Sequence, residues 1–379
     1  MTAPHPYDAM VVGAGVMGAS TALHLVRGGM RVALVDRGGI CREASGTNAG
    51  TLTMHMTRAA LIPYALEGWR MWTQARAWLG ADVGVTQAPG LTVAFTEAEE
   101  ALIHQRAAAR GGAGAPIKVI TPAEARAIEP GLSPGIRAAA HCPIDGHVTA
   151  YLTGRGFAAA LRDAGCDVIE GLPVTGLDRD GAHYTLRCDD AAMDGALRAP
   201  RVVLAGGVWL EPMLRWLGLE VPIKVLVNQL AVTERMTPVM NSVLSVASGL
   251  LSLKQFANGS VLVGGGWQGR GDRDRGGFEL IPEALIGNLR LAAHVIPALR
   301  DARVLRAWLG LEAETADAMP IIGPVPGHPG AFAIGSVHSG YTSGPYMGRL
   351  LAQAVLGQTP ERPLFPLERL ISHDTDTAA

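Results

Sequence analysis

Charge is scarce in this chain. Only 17% of the 379 residues are charged, and 32 basic against 34 acidic side chains leave a net charge of −2. That balance gives no electrostatic case for binding nucleic acid or an anionic membrane surface. Aromatic residues make up only 5%. Cysteine occurs four times, at Cys41, Cys142, Cys166 and Cys188, with no C-x-x-C pair. A disulfide framework and a cysteine metal site are therefore unsupported, and no metal is expected. No apolar run reaches the roughly 20 residues that a membrane-spanning helix needs. The first apolar run reads as a strand, not as the core of a secretory leader, so the expected location is cytoplasmic. No internal repeat or heptad pattern is visible.

What is abundant is apolar side chains, at 48%, and glycine, at 48 residues. The first predicts a large buried core in one large domain or two intimate ones. The second has a pattern: the glycines cluster at strand ends and turns, as at Gly206-Gly207, Gly264-Gly265-Gly266 and Gly335, Gly340 and Gly344. Backbone that must approach a ligand closely has this need.

The strongest local signal is at the start. Tyr7 to Val12 reads as a buried strand, Gly13-Ala14-Gly15-Val16-Met17-Gly18 as a tight turn, and Ala19 to Arg27 as a helix ended by Gly28-Gly29. Met30 to Val35 is a second strand, closed by Asp36. This is a βαβ dinucleotide fingerprint with its terminal acid in place. Gly13 permits the sharp turn, Gly15 lets a pyrophosphate approach the backbone, and Gly18 lets helix and strand pack closely. The helix N-terminus offers N–H groups and a positive dipole end to the phosphates. Asp36 is placed to accept hydrogen bonds from ribose hydroxyls, which argues against a 2′-phosphate. The polar run Arg42 to Gly50 follows and is suited to wrapping a long cofactor; an ordinary surface loop is the alternative.

Further along, residues 56–80 read as helical around Trp69, Trp72 and Trp78, and residues 83–140 as mixed. Thr121 caps a helix with Pro122 in its first turn. His147 to Ala164 reads as a helix. Arg201 to Trp209 is a buried strand running into glycines, which places Ala205-Gly206-Gly207 at a strand's ligand-facing carboxyl end. From about Val221 to Trp308 the alternation suggests antiparallel strands forming an inserted sheet. Ala331 to Gly335 returns as a strand. Thr342-Ser343-Gly344-Pro345 is read as the cap of a last helix, roughly Tyr346 to Val355.

Five separated segments, Val11–Asp36, Ser45–Gly50, Val202–Trp209, Trp308–Gly323 and Gly335–Gly348, resemble the D-amino acid oxidase superfamily of FAD-dependent amine oxidoreductases. Together they span nearly the whole chain. The resemblance implies an α/β fold: a Rossmann-like, doubly wound FAD-binding domain with an inserted, mainly antiparallel-sheet α+β substrate domain. The expected division is 1–85, 141–215 and 306–379 for the FAD domain, and 86–140 and 216–305 for the substrate domain. The resemblance implies oxidation of a C–N bond in a small amine or amino acid, giving an imine that water hydrolyses. Trp308-Leu309-Gly310-Leu311-Glu312, Asn48-Ala49-Gly50 and His338 to Thr342 look most like the flavin subunits of opine dehydrogenases, which implies a hetero-oligomer with other dehydrogenase subunits. One departure stands out. Many relatives place a carboxylate-clamping arginine, or a flavin-linked cysteine, where this chain has Glu312, so non-covalent FAD is expected.

The residues expected to hold FAD are Gly13, Gly15, Val16, Met17, Gly18, Asp36, Arg37, Ser45, Thr47, Asn48, Ala49, Gly50, Val174, Ala205, Gly206, Trp209, Gly310, Gly340, Tyr341 and Thr342. The catalytic candidates are Glu312, His55, Tyr341 and His338, each with a structural alternative. Glu312 either serves a cationic substrate group or the ammonium proton, or is a structural carboxylate. His55 either lines the pocket or is a packed, neutral core histidine. Tyr341 either meets ring or substrate or simply packs. His338 either acts in catalysis or orders the glycine-rich return. Arg58 and Arg306 are candidate carboxylate partners against a surface alternative, and the face taken by Lys254 and Gln255 is open.

Overall fold

A computed structural model describes residues 7–336 and 340–371. The opening βαβ unit is present as β1 (Ala9–Val12), α1 (Val16–Arg27) and β2 (Val32–Asp36). β1 is buried throughout and β2 nearly so, as expected of parallel strands covered on both faces. They lie inside a six-stranded sheet ordered Ile321–Pro324, Ala331–Gly335, Val202–Leu204, β1, β2 and Asp167–Glu170. All neighbours are parallel except the outer pair Ile321–Pro324 and Ala331–Gly335. Alternate residues feed two cores. Ala9 and Val11 join the helices α1, Ile62–Thr73, Ala150–Asp163 and Gly340–Val355 on one face. Met10 and Val12 face a three-stranded sheet, Val174–Asp180, His183–Cys188 and Arg198–Ala199, with the short helix Leu210–Arg215.

The second layer is an eight-stranded sheet that roofs the first. Its order is Val304–Glu314, Lys224–Thr233, Val261–Gly264, Ser252–Gln255, Val243–Val246, Gly90–Ala94, Ala138–Cys142 and Lys118–Ile120. Only Val243–Val246 and Gly90–Ala94 run parallel; the other pairings are antiparallel. The helices Pro122–Ile128 and Pro282–Val295 seal its outer face over Leu91, Val93, Leu253 and Val263. The strands Ala138–Cys142 and Val304–Glu314 run across the expected limits at 140/141 and 305/306. Because each pairs along its length inside the roof, we propose to place the division after Cys142 and after Glu314.

Two local expectations are corrected. The first concerns Pro345, which does not open the last helix. That helix is Gly340–Val355, and Pro345 lies inside it. Proline lacks the N–H that would bond the carbonyl four residues earlier, that of Tyr341. The indole Nε1 of Trp72 donates to that carbonyl instead, at 2.9 Å. Thr342 and Ser343 are therefore buried inside the helix and do not cap it. The second concerns His147, which is paired in the short strand Gly146–His147, so its helix begins later, at Ala150. The Thr121 cap is present in full: Thr121 and Glu124 form a reciprocal capping box.

Candidate active site

A cavity of about 940 Å³ lies between the six-stranded sheet and the roof. One part is built at the carboxyl ends of β1 and β2. Gly13 sits at φ +108°, and a Cβ there would collide with the carbonyl of Ala205. A Cβ on Gly18 would strike the carbonyl of Gly13. Only glycine lets these three segments meet. Asp36 has one carboxylate oxygen on the N–H of Ala14 (2.7 Å) and the other on that of Gly38 (2.8 Å). The acid thus anchors the glycine turn as well as facing the cavity. Ser45 Oγ accepts the N–H of Val16 (3.0 Å), which ties the polar loop to the N-terminus of α1. Arg37 stacks over Trp209 at 3.7 Å and pairs with Glu43 at 2.9 Å.

The other part lies under the roof. Glu312 pairs with Leu226 in register, and its Oε2 accepts Asn228 Nδ2 at 2.7 Å. Gln268 Nε2 donates in turn to Asn228 Oδ1. All three line the cavity. Glu314, two residues along the same face, is matched by Arg58 (3.5 Å) and Lys224 (3.6 Å). Trp308 Nε1 donates to the carbonyl of Thr47 (2.9 Å), and a Cβ on Gly310 would lie 2.9 Å from Thr47 Oγ1. The short helix Ala44–Thr47, within the run read from sequence as a polar loop, is therefore clamped between the two sheets.

Among the residues expected to hold FAD, all but Gly50 and Thr342 line this cavity. Gly50 lies behind it at φ +66°, with its N–H on Asn48 Oδ1. Thr342 is buried, accepting the N–H of Thr53 (3.1 Å) and donating to the carbonyl of Thr51 (3.2 Å). Of the catalytic candidates, Glu312 and Tyr341 line the cavity and His55 does not. The Tyr341 ring stacks on Trp72 at 5.5 Å, and burial pushes its hydroxyl far above the usual tyrosine range. His55 is buried with its Nδ1 on Asp145. Asp145 also accepts the N–H of Met54 (2.7 Å) and the hydroxyl of Thr53 (3.3 Å). The pair pins the segment from which Thr53 and Met56 reach the cavity. A Cβ on Gly90 would collide with both Asp145 and His55. His338 lies outside the described residues. Arg306 sits over Trp308 at 5.6 Å.

Lys254 and Gln255 take opposite faces of their strand. Gln255 Oε1 accepts the N–H of Val239 (2.8 Å). Lys254 is fully buried with Nζ on Thr51 Oγ1, and burial pulls its pKa from 10.5 down to about 7. The sequence reading missed Asp145, Asn228 and Gln268. Asn228 left a signal, a polar residue within the mostly apolar run Val225 to Val232. The other two left none, because their partners lie 90 and 40 residues away. Among the described residues no cluster of His, Cys, Asp and Glu is arranged to hold a metal, and no helix is long and apolar enough to cross a membrane.

The donor set fits a dinucleotide. The glycine cradle, the N-terminus of α1 and the carboxylate of Asp36 are arranged as pyrophosphate and ribose require. Comparison with known proteins agrees. A family model described as FAD dependent oxidoreductase (DAO) matches residues 8–354. The chain is 26% identical over 360 residues to glycine oxidase of Geobacillus kaustophilus, covering 93% of each chain. It is 26% identical over 354 residues to an opine oxidase subunit of Rhizobium meliloti, covering 88% of this chain and 89% of that one. The crystal structure of glycine oxidase from Geobacillus kaustophilus superposes with a TM-score of 0.83 at 23% identity, over 97% of this chain and 99% of that one. The chain therefore belongs to the DAO family of FAD-dependent oxidoreductases.

Proposed function

We propose that this chain oxidises the C–N bond of a small amino acid or secondary amine, of the opine, D-amino acid, sarcosine or proline kind, and passes the electrons to an acceptor other than oxygen. The observation that carries this reading is the continuity of the cavity from the Asp36 cradle to the polar roof at Glu312, Asn228 and Gln268. Bound FAD would supply a hydride acceptor beside the substrate carbon. The chain's own part is to hold and orient. Gly13, Gly15, Ser45 and Asp36 would fix the nucleotide end. Glu312 and Asn228 would position the substrate's nitrogen-bearing end. The short helix Ala44–Thr47, clamped by Trp308, and the pinned Thr53 and Met56 would exclude water. None of the four cysteines lines the cavity, which supports a non-covalent cofactor.

Three relatives are themselves named as subunits, two of opine oxidase and one of hydrogen cyanide synthase, and they support assembly with a second kind of chain. The alternative is an oxygen-using oxidase, favoured by the relatives named glycine oxidase. Anaerobic mixing of the purified holoenzyme with opines, D-amino acids, sarcosine and proline analogues tests the reaction class; the yellow colour bleaches if an amine is oxidised. Stopped-flow mixing of the reduced protein with air-saturated buffer then separates the two readings. Slow re-oxidation supports the dehydrogenase, and re-oxidation at turnover speed supports the oxidase. Light scattering of the chain alone and with the products of neighbouring genes tests assembly.

A further inference from the structure

Lys254 holds a buried ammonium with no opposite charge against it. Its side chain is 1% exposed, its Nζ donates to Thr51 Oγ1, and among the described residues no carboxylate pairs with it. Burial is the cause of its low pKa, about 7. An ammonium has three N–H groups to satisfy, and burying its charge uncompensated is costly. The strands around it bring no compensation. Val243–Val246, Val261–Gly264 and Thr51–Leu52 carry no titratable side chain. Gly146–His147 brings His147, whose imidazole is driven down to about 3 by burial first and by Lys254 second, so it stays neutral. Asp145, next in the chain, is turned to His55 and to the N–H of Met54.

What Lys254 does reach is the cavity wall. Ser252 and Lys254 lie two apart on one strand and so share a face. Thr51 Oγ1 lies 3.4 Å from Ser252 Oγ. Thr51 and Ser252 line the cavity, whereas Lys254 does not. The order is therefore ammonium, hydroxyl, cavity. Because Thr51 Oγ1 accepts from the ammonium, its own hydrogen points away from Lys254, toward Ser252 or the cavity, and the charge behind it strengthens that donor. The complement of two such hydroxyls is an anion with two acceptor atoms, as a carboxylate is.

The cations in the cavity wall itself are differently placed. Arg37 and Arg42 belong to the nucleotide part, and Arg37 pairs with Glu43. Lys224 pairs with Glu314. Among the described residues no further cation lines the cavity.

Resting on the proposed amine oxidation, we infer that the substrate is a carboxylate-bearing amine whose carboxylate docks on the Thr51 and Ser252 hydroxyls, with Lys254 behind them as the positioning residue. Plain amines are then poor substrates. Lys254 must be protonated for the anion to bind well, so binding is strong at low pH and weakens as the lysine loses its proton.

Propionate, which has the carboxylate and no amine, tests the site by calorimetry on the FAD-loaded protein. It should bind about tenfold or more tighter than propionamide. Its affinity should be about fivefold or more lower at pH 9 than at pH 6, since the unoccupied lysine titrates near pH 7. Lys254→Met should weaken propionate about tenfold or more and abolish that pH dependence. Thr51→Val, which keeps the shape and removes the hydroxyl, should weaken it in the same direction. A lysine that only filled space would leave the pH profile unmoved. In anaerobic stopped flow, flavin reduction by D-alanine, sarcosine and proline is compared with ethylamine, dimethylamine and pyrrolidine, the same amines without the carboxylate. At least one amino acid should outperform its partner about tenfold or more, and Lys254→Met should shrink that ratio. Propionate binding that is undetectable, matched by propionamide or unchanged in Lys254→Met overturns the inference, and so does an amino acid no better than its partner in every pair that bleaches the flavin; such bleaching leaves amine oxidation standing. Lys254-dependent propionate binding with no amine able to bleach the flavin upholds the anion site and refutes amine oxidation instead.

Discussion

Asp36 anchors the glycine turn, we propose that it also holds the FAD ribose, and removing its side chain should separate the two roles. Its carboxylate accepts the N–H groups of Ala14 and Gly38 before any ligand arrives. Ala14 is almost fully buried, so Asp36→Ala leaves its N–H without this partner. A hydrogen bond to a charged acceptor is worth about 1.5–3 kcal/mol, and orphaning the buried donor costs a similar amount. The apoprotein should therefore melt several degrees lower. The Gly38 bond is exposed and should add little. The proposed ribose contact would be a separate loss, about 1–3 kcal/mol, or roughly 5- to 150-fold in FAD affinity. Asp36→Asn keeps one carbonyl acceptor and should fall between wild type and the alanine variant. Fluorescence titration of FAD into apoprotein, with melting curves of apo and loaded forms, measures both effects. FAD affinity at the wild-type level in Asp36→Ala would refute the ribose role. An unchanged apoprotein melting point would refute the anchoring role.

Three further outcomes are expected. Acid precipitation of the yellow protein should leave FAD in the supernatant, and a yellow pellet would contradict the non-covalent assignment. Lys254 has its pKa lowered to about 7 by burial, so between about pH 7 and 10.5 the unfolded chain binds the extra proton. The penalty of burying it is therefore full below about pH 7 and fades as pH rises toward 10.5. Lys254→Met should raise stability by on the order of 1 kcal/mol or more at pH 6.5 and by less at pH 9.5; a gain that does not change with pH counts against this. Gly90→Ala drives a methyl into Asp145 and His55 and should cost about 1–3 kcal/mol of stability. In an Asp145→Ala background that cost should shrink, and thermal melts of the four proteins would show whether it does.

Local sequence carried the cofactor half of this molecule. The strand, glycine turn, helix and acid of residues 7–36 are set by contiguous preferences: apolar runs, glycine at a positive φ, and a break at Gly28-Gly29. The Thr121 cap is equally local, since Thr121 and Glu124 satisfy each other three residues apart. The alternation after Val221 likewise announced an antiparallel sheet. The last helix shows where local rules stop. A proline after Thr-Ser-Gly reads as a helix start, yet this helix runs through Pro345 because a tryptophan 269 residues from Tyr341 supplies the missing donor.

The sequence by itself thus determined the dinucleotide cradle, the two-sheet class and the odd carboxylate at Glu312. Only the tertiary structure decided what surrounds that carboxylate. It joined Glu312 to Asn228 across 84 residues, His55 to Asp145 across 90, and Lys254 to Thr51 across 203. Such partners depend on strand register, where a shift of one residue turns a side chain to the opposite face. That register is fixed by burying whole faces of the roof at once, a collective choice that no single stretch of residues encodes.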